Sequence, residues 1–208
     1  MKRVLPFTEF VNESRINEMM NVSNELMNVK DSLEKIEQYA ITADEDLVVV
    51  KRDYVQQITK LVKSQRFDAK SQKIADGILK EINSAVSLSS IVDVMLDTVE
   101  EYNLSPDDVN EAINWEKVGQ TVGNVAGWIG NVIRKGLVLA WDKLIIPFVK
   151  YILNVLARLV VNIILAVINA VLGQTYRTPD ATIFKKDEVR EEIPTERELE
   201  DYEDSDDF

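Results

Sequence analysis

Hydrophobic residues recur along most of the chain at the three-to-four-residue spacing of amphipathic helices, and no convincing alternating strand pattern occurs. The clearest case is an a/d heptad pattern near the N-terminus, with Lys, Glu, Asp and Asn between its apolar members. These members are Met19, Val22, Leu26, Val29, Leu33, Ile36 and Ala40. The pattern predicts a coiled-coil-like first helix, which either packs on its own domain or drives formation of a homo-oligomer.

Two further amphipathic segments follow. Thr42 or Asp44 is placed to cap a second helix over residues 44–67, and a third helix is predicted over residues 69–86. Each places its apolar residues on one face, which predicts that both helices pack on a common core. The two faces consist of Leu47, Val50, Tyr54, Ile58 and Leu61, and of Ile74, Ile78, Ile82 and Ala85.

Cap signals mark two more helix starts. Ser89 or Ser90 is predicted to cap a fourth helix, whose apolar face contains Ile91, Val92, Met95, Leu96 and Val99. The run Ser105-Pro106-Asp107-Asp108 combines a capping serine, a proline at the first helical position and acidic residues in the first turn. A fifth helix is therefore expected to begin at Pro106.

Glycines then cluster between residues 116 and 136. Four of the seven glycines, Gly119, Gly123, Gly127 and Gly130, fall within twelve residues. Glycine lowers helix stability by about 1 kcal/mol relative to alanine, so such a cluster in an apolar helical sequence needs a reason. The spacing of four predicts a smooth strip on which another helix packs closely, as in membrane helix pairs. The alternative is a flexible hinge between two helices.

The segment 137–176 is strongly apolar. Pro147 is expected to break or kink the helix near Ile146. After it, residues 148–172 form a 25-residue span with 20 apolar residues. Such a helix is roughly 37 Å long, which is enough to cross a hydrocarbon core of about 30 Å. We therefore predict one long apolar helix of membrane-spanning length.

Five polar residues interrupt this span, namely Lys150, Asn154, Arg158, Asn162 and Asn169. Their spacings place them on one predicted stripe, which leaves most of the circumference apolar. Three environments suit such a helix: the centre of a soluble bundle with the stripe facing water, a bilayer with the stripe facing partner helices or a lumen, or an interface. A charge at mid-bilayer costs roughly 2.5–3.5 kcal/mol, so Arg158 opposes the insertion of a single copy. An oligomer would insert more easily, because it could arrange its polar stripes around a lumen.

Composition excludes several kinds of catalytic site. The chain contains neither Cys nor His, so it has no thiol nucleophile, no Ser-His-Asp triad and no thiolate or imidazole zinc site. The carboxylate pairs Glu100–Glu101 and Asp107–Asp108 are interpreted as solvated faces and helix caps. We predict a protein that is not an enzyme and has no cofactor.

Charge divides the chain into three parts. Residues 1–136 carry a net charge of −6, residues 137–176 carry +2 and residues 177–208 carry −8. The last segment is predicted to be a disordered acidic tail. Sequence-specific nucleic-acid binding is not expected, because phosphate contacts need clustered Lys and Arg.

The N-terminus carries the most specific motif. After Lys2, the sequence Phe7-Thr8-Glu9-Phe10-Val11-Asn12-Glu13-Ser14 places aromatic residues around a glutamate, followed by an apolar-x-Glu step and a small residue. This stretch resembles the capsid-targeting peptide of internal head proteins of T-even-type tailed phages. The matching positions are Lys2, Phe7, Glu9, Phe10, Val11 and Glu13, with Ser14 as the small residue after the cut.

The resemblance implies an address and a processing step. Residues 1–13 would target the protein to the head interior, and the prohead protease would cut between Glu13 and Ser14. The implied partners are that protease and the scaffold core proteins, followed by host membrane lipids after ejection with the DNA. The resemblance covers about 14 of 208 residues and therefore says nothing about the fold of the rest.

Together these patterns predict an all-α helical bundle. The expected organisation is a cleaved peptide at 1–13, an acidic helical domain at 14–115, a glycine-rich strip or hinge at 116–136, an apolar helical segment at 137–176 and a disordered tail at 177–208. The predicted function is that of a virion protein acting on the host membrane. Two alternatives remain: a structural scaffold-core protein with no membrane role, and a cellular pore-forming or holin-like membrane protein.

Overall fold

In the computed structural model, the described residues are 7–42, 47–104, 109, 123–124, 127–128, 145–176 and 182–189. Side chains in the first helix are described from Ser23 to Ile41, except Glu25. Within these ranges lie five α-helices, numbered here in chain order. They are α1 (Phe7–Thr42), α2 (Val48–Ser64), α3 (Ala69–Ser84), α4 (Leu88–Glu101) and α5 (Ile146–Leu172).

The described residues contain no β-strand, which confirms the all-α prediction. Helix α5 packs against α2, α3 and α4, whereas α1 packs chiefly against α4. One continuous core extends from Leu26 in α1 to Ile168 near the end of α5. The apolar segment is therefore a member of the same bundle as the preceding acidic helices, and it is not a separate layer.

The described part of the heptad pattern faces the interior of this chain. Leu26, Val29, Leu33, Ile36 and Ala40 are all buried, and α4 is the helix that contacts α1 most extensively. This arrangement favours packing within the domain over a homo-oligomeric coiled coil. Met19 and Val22 lie outside the described side chains.

Polar contacts fix α1 on α4. The Glu37 carboxylate accepts hydrogen bonds from the backbone N–H of Leu88 at 2.6 Å and from the hydroxyl of Ser89 at 2.6 Å. It thereby supplies an anion to the exposed N–H groups at the N-terminus of α4. Lys30 forms an ion pair with Asp93 at 2.8 Å further along the same interface. These contacts fix the relative position of the two helices along their axes.

Several helix boundaries differ from the sequence predictions. Helix α2 begins at Val48 and ends at Ser64, shorter than the predicted 44–67, and Thr42 belongs to the end of α1, so it is not the cap of α2. Helix α4 is capped by Ser87, whose extended backbone lets its hydroxyl accept from the N–H of Ser90. The predicted caps Ser89 and Ser90 lie two and three residues beyond the actual cap, and Ser90 is the third helical residue of a capping box.

The predicted apolar faces lie in the core. Tyr54, Ile58, Ile78, Ile82 and the whole α4 face are buried, and Val50, Leu61 and Ile74 pack on the core while half-buried. The predicted helix start at Pro106 lies outside the described residues, although Val109 is helical and buried. Helix α3 ends at Ser84, two residues before the predicted end.

Both ends of α5 have clear chemical causes. Pro147 lies in the first turn, where its missing N–H leaves no hydrogen bond unmade, so the proline permits the start of the helix. Gly173 ends the helix in the left-handed conformation at φ 63°, and its N–H donates to the Asn169 carbonyl at 2.8 Å. Glycine suits this position because a Cβ disfavours positive φ.

Candidate functional site: the polar stripe of the apolar helix

Helix α5 is the candidate functional element, and the structure places its five predicted polar residues in different environments. Lys150, Asn154 and Asn169 are half-buried, Arg158 is exposed and Asn162 is buried. A step of four residues turns a helix by about 40° beyond a full circle, so the stripe winds around α5. Because only Arg158 of the five is exposed, the stripe does not form the face in water that the soluble-bundle alternative implied.

An extended segment, residues 182–189, lies on the stripe, and we call it the strap. The Asn154 side chain binds its backbone in both directions. Its amide N–H donates to the Phe184 carbonyl at 2.9 Å, and its oxygen accepts from the N–H groups of Ile183 and Phe184 at 3.0 and 2.8 Å. The Asn154 side chain thus pairs with both N–H and carbonyl groups of the strap backbone, as the backbone of an adjacent β-strand would.

Side chains add to this attachment. Phe184 is 6% exposed and packs on the core, and the Lys150 ammonium lies 5.4 Å from the centre of its ring. Arg158 approaches the Thr182 hydroxyl at 3.5 Å. A cleft of about 290 Å³ remains between α5 and the strap, lined by Tyr151, Val155, Lys186 and Val189 together with stripe residues.

The strap corrects the prediction of a tail that is disordered from residue 177 onward. That prediction is wrong for residues 182–189, which pack on α5 and include a 3-10 turn at Lys186–Glu188. Composition concealed this because only three apolar residues, Ile183, Phe184 and Val189, stand in an otherwise polar stretch. The remaining tail residues, 177–181 and 190–208, lie outside the described part of the chain.

A second attachment holds the other end of α5. The Asn169 oxygen accepts from the Tyr176 N–H at 3.0 Å. Gln174 donates to the Asp68 carboxylate at 2.7 Å, and the buried Ser71 hydroxyl donates to Gln174 at 2.9 Å. We call Asp68, Ser71, Gln174 and Tyr176 the clasp, because they join the chain after α5 to the N-terminus of α3.

The clasp lowers the pKa of Asp68 to about 2 from an ordinary 3.8. The Ser71 backbone N–H is the largest cause, and the Gln174 side chain adds to it, because both donate to the ionised carboxylate. The same carboxylate caps α3 by accepting from the N–H groups of Lys70 and Ser71. One charged group therefore holds two elements.

Replacement of Asp68 by Asn tests this coupling. Because the folded-state pKa is depressed, ionised Asp68 stabilises the fold above about pH 4, and this contribution disappears as the pH falls to about 2. Asparagine still caps a helix but does not titrate. We expect the wild type to exceed Asp68→Asn in free energy of unfolding at pH 6, with the difference vanishing near pH 2 in urea denaturation.

The control for this pH profile is Asp97→Asn, which removes one negative charge from an exposed position of α4. We expect its difference from the wild type to stay small across the same range. A difference for Asp68→Asn that is constant from pH 6 to pH 2 would contradict the assigned role of its charge.

Buried polar atoms without hydrogen-bond partners occur in α5 and elsewhere among the described residues. Among the described residues, the Asn162 oxygen, the Tyr54 hydroxyl and the Trp128 indole N–H are buried without a hydrogen bond. Burial raises the pKa of Tyr54 well above its ordinary value of 10.0. An unsatisfied buried polar group costs about 1–3 kcal/mol. Because Asn162 is only 5% exposed, its unpaired oxygen lowers the stability of the bundle.

The glycine strip is partly visible. Gly123 and Gly127 are helical and exposed, and a Cβ added to either would meet no atom within 4 Å among the described parts of the chain. At these two positions no other helix among the described residues makes the predicted close approach. Trp128 instead contacts α5 through Phe148, with ring centroids 5.3 Å apart. Gly119 and Gly130 lie outside the described residues.

The N-terminal motif lies inside α1. Because α1 begins at Phe7, Glu9, Phe10, Val11, Glu13 and Ser14 are all in helical backbone, although their side chains are outside the described set. Proteases cleave chains that have opened locally. Cleavage between Glu13 and Ser14 therefore requires the first turns of α1 to unwind.

One cleft was not foreseen from the sequence. It has a volume of about 310 Å³ and lies where α1 ends, α2 begins and the loop before α4 passes. Ile41, Val48 and Val86 are exposed around it. These residues come from three separate elements, so no periodicity within one segment could have indicated their proximity.

In the described ranges, no three Asp or Glu residues converge in a way that could hold a metal ion. No protein-family model, curated protein or solved structure matches the chain. The physical properties of α5 and the N-terminal motif are therefore the available guides to function.

Proposed function

We propose that the protein is a non-enzymatic virion protein of a tailed phage. It is packaged in the head interior by residues 1–13, cut by the prohead protease after Glu13, and ejected with the DNA. It then acts on the host membrane through α5 and the glycine-rich segment. The resemblance of Phe7 to Ser14 supports the address, and the length and apolarity of α5 support the membrane action.

The observation that carries the membrane proposal is the character of α5. It is the one helix in the described residues that is long and apolar enough to cross a bilayer. Within the bundle, 67% of its most apolar 18-residue window is buried. Burial in the protein keeps this helix soluble during storage, and lipid is the alternative apolar environment in which it can be buried after release.

A second candidate function follows from the same burial. A scaffold-core protein needs a stable helical bundle, and a buried apolar helix supplies the core of one. In that case α5 never leaves the bundle and the protein has no affinity for lipid. Vesicle experiments with the intact chain separate the two functions.

The glycine strip offers the sharpest test of membrane action. Because Gly123 and Gly127 are exposed with open space around them, Gly123→Leu with Gly127→Leu leaves the soluble bundle intact while blocking close helix packing in the bilayer. We expect the wild type to release dye from phospholipid vesicles and the double variant to lose most of this activity. The matched control is Asn124→Leu, which adds an exposed leucine next to Gly123 without filling the strip, and it should retain leakage.

Absence of both vesicle binding and leakage in the wild type would leave the scaffold function. Equal leakage by the wild type and the double variant would show that Gly123 and Gly127 are not required for membrane action. The location is tested separately by N-terminal analysis of the protein from mature particles. We expect a chain beginning at Ser14, and an intact Met1 would contradict processing.

A further inference from the structure

The strap covers the side of α5 on which Lys150, Asn154 and Arg158 lie. It runs antiparallel to the helix, since Thr182 lies at Arg158 and Phe184 lies at Asn154. The other sides of α5 are covered by α2, α3 and α4. The helix therefore has two different covers: a packed bundle and a single extended segment.

The two covers differ in the contacts that hold them. The bundle buries ten consecutive residues of α5, from Leu159 to Ile168. Phe184 is the only strap residue that is buried, and Thr182, Lys185, Lys186, Asp187 and Glu188 are all exposed. Segments with few buried apolar contacts open at a lower free energy than the core. The strap is thus expected to leave α5 before the bundle opens.

Release of the strap changes the charge as well as the cover. It uncovers the half-buried Lys150, which lies over the Phe184 ring, and removes the Thr182 hydroxyl from the already exposed Arg158. The strap is also the covalent attachment of residues 190–208, which carry 2 basic and 10 acidic side chains, a net charge of −8. Departure of the strap therefore exposes Lys150, frees Arg158 from its strap contact, and releases the attachment point of a strongly acidic segment. Exposed cations next to an apolar helix favour an anionic lipid surface.

From this arrangement we propose that the strap is a releasable cover that holds α5 in its soluble state, and that release of the strap is the step that permits α5 to enter a membrane. This inference rests on the proposed membrane function and adds its regulation. Asn154 holds the strap on α5 through three hydrogen bonds from its side chain to the strap backbone. Phe184 holds it through burial of its side chain in the core.

The experiment uses the full chain and exploits its lack of cysteine. A spin label on Lys185→Cys, at an exposed strap position, reports strap mobility, and a label on Lys80→Cys in α3 serves as the reference site. Strap release is produced by Asn154→Ala and separately by Phe184→Ala. Asn124→Ala, at an exposed asparagine away from the strap, is the matched control. Each protein is then tested for dye release from vesicles containing anionic and zwitterionic phospholipid.

We expect the strap label to be immobile in the wild type and in Asn124→Ala, and mobile in both release variants, with the α3 label unchanged. Vesicle leakage should be faster by about tenfold in the release variants, because a larger fraction of molecules is competent for insertion. A chain ending at Tyr176, which lacks the strap, should leak at least as fast.

Three results would overturn the inference. One is a mobile strap label in the wild type. Another is leakage from the chain ending at Tyr176 that does not exceed that of the wild type. The third is leakage from no protein, including the chain without a strap, and this result alone also refutes the proposed membrane function. The first two leave that function standing, so the two failures are distinguishable.

Discussion

Substitution of Leu156 by alanine is expected to lower the free energy of unfolding by about 2–5 kcal/mol. Leu156 is 1% exposed and lies at the centre of α5, where it belongs to the core shared with the other helices. Truncation removes buried apolar surface and leaves a cavity that the surrounding helices fill only partly. Urea denaturation followed by circular dichroism measures the change.

Two valines on α5 supply a matched control for this effect. Val160 is 1% exposed and Val171 is 52% exposed, so Val→Ala at each position makes the same chemical change in opposite environments. Val160→Ala should be clearly destabilising, whereas Val171→Ala should stay within about 0.5 kcal/mol of the wild type. Similar, small effects at Leu156, Val160 and Val171 would show that α5 is not part of the soluble core.

Replacement of Asn162 by leucine is expected to raise the free energy of unfolding by about 1–3 kcal/mol, the cost of the unsatisfied buried oxygen that it removes. Leucine has the same number and branching of side-chain heavy atoms as asparagine and suits the apolar surroundings of this residue. The same change should weaken membrane action, because asparagines on membrane helices form hydrogen bonds between helices worth about 0.6–2 kcal/mol. Stability and leakage should thus change in opposite directions.

Asn169→Leu is the control for this prediction, since the Asn169 oxygen accepts from the Tyr176 N–H at 3.0 Å. Loss of a satisfied acceptor should destabilise the bundle, opposite in sign to Asn162→Leu. If Asn162→Leu is instead destabilising by a similar amount, the buried oxygen contributes a favourable contact and the assigned cost is wrong.

Hydrophobic periodicity predicted the helices and their buried faces well, because the same spacing that defines a helix also defines which side it buries. The seam from Leu26 to Ala40, the α4 face and the start of α5 near Pro147 all follow from local pattern. Cap assignment was less accurate, since three serines, Ser87, Ser89 and Ser90, offer similar hydroxyls. Only the backbone conformation of Ser87 selects it as the cap.

The arrangement of the candidate site could be predicted only in part. Spacing identified the polar residues of α5, yet it could not reveal that Asn154 binds a segment 29 to 30 residues away in the chain. Pattern also cannot distinguish a core helix from a membrane helix, because both are apolar on most of their circumference. The clasp was missed for a similar reason: Asp68 and Gln174 lie 106 residues apart.

The most direct test of the central claim is the environment of α5 in the presence of lipid. An environment-sensitive fluorophore on Val171→Cys, at an exposed position of α5 in a chain with no other cysteine, leaves the bundle core undisturbed. When vesicles carrying acyl-chain nitroxide quenchers are added, we predict a blue-shifted emission and strong quenching, both enhanced by Phe184→Ala. Emission and quenching that remain unchanged in both proteins would contradict the account and leave α5 as the core helix of a soluble protein.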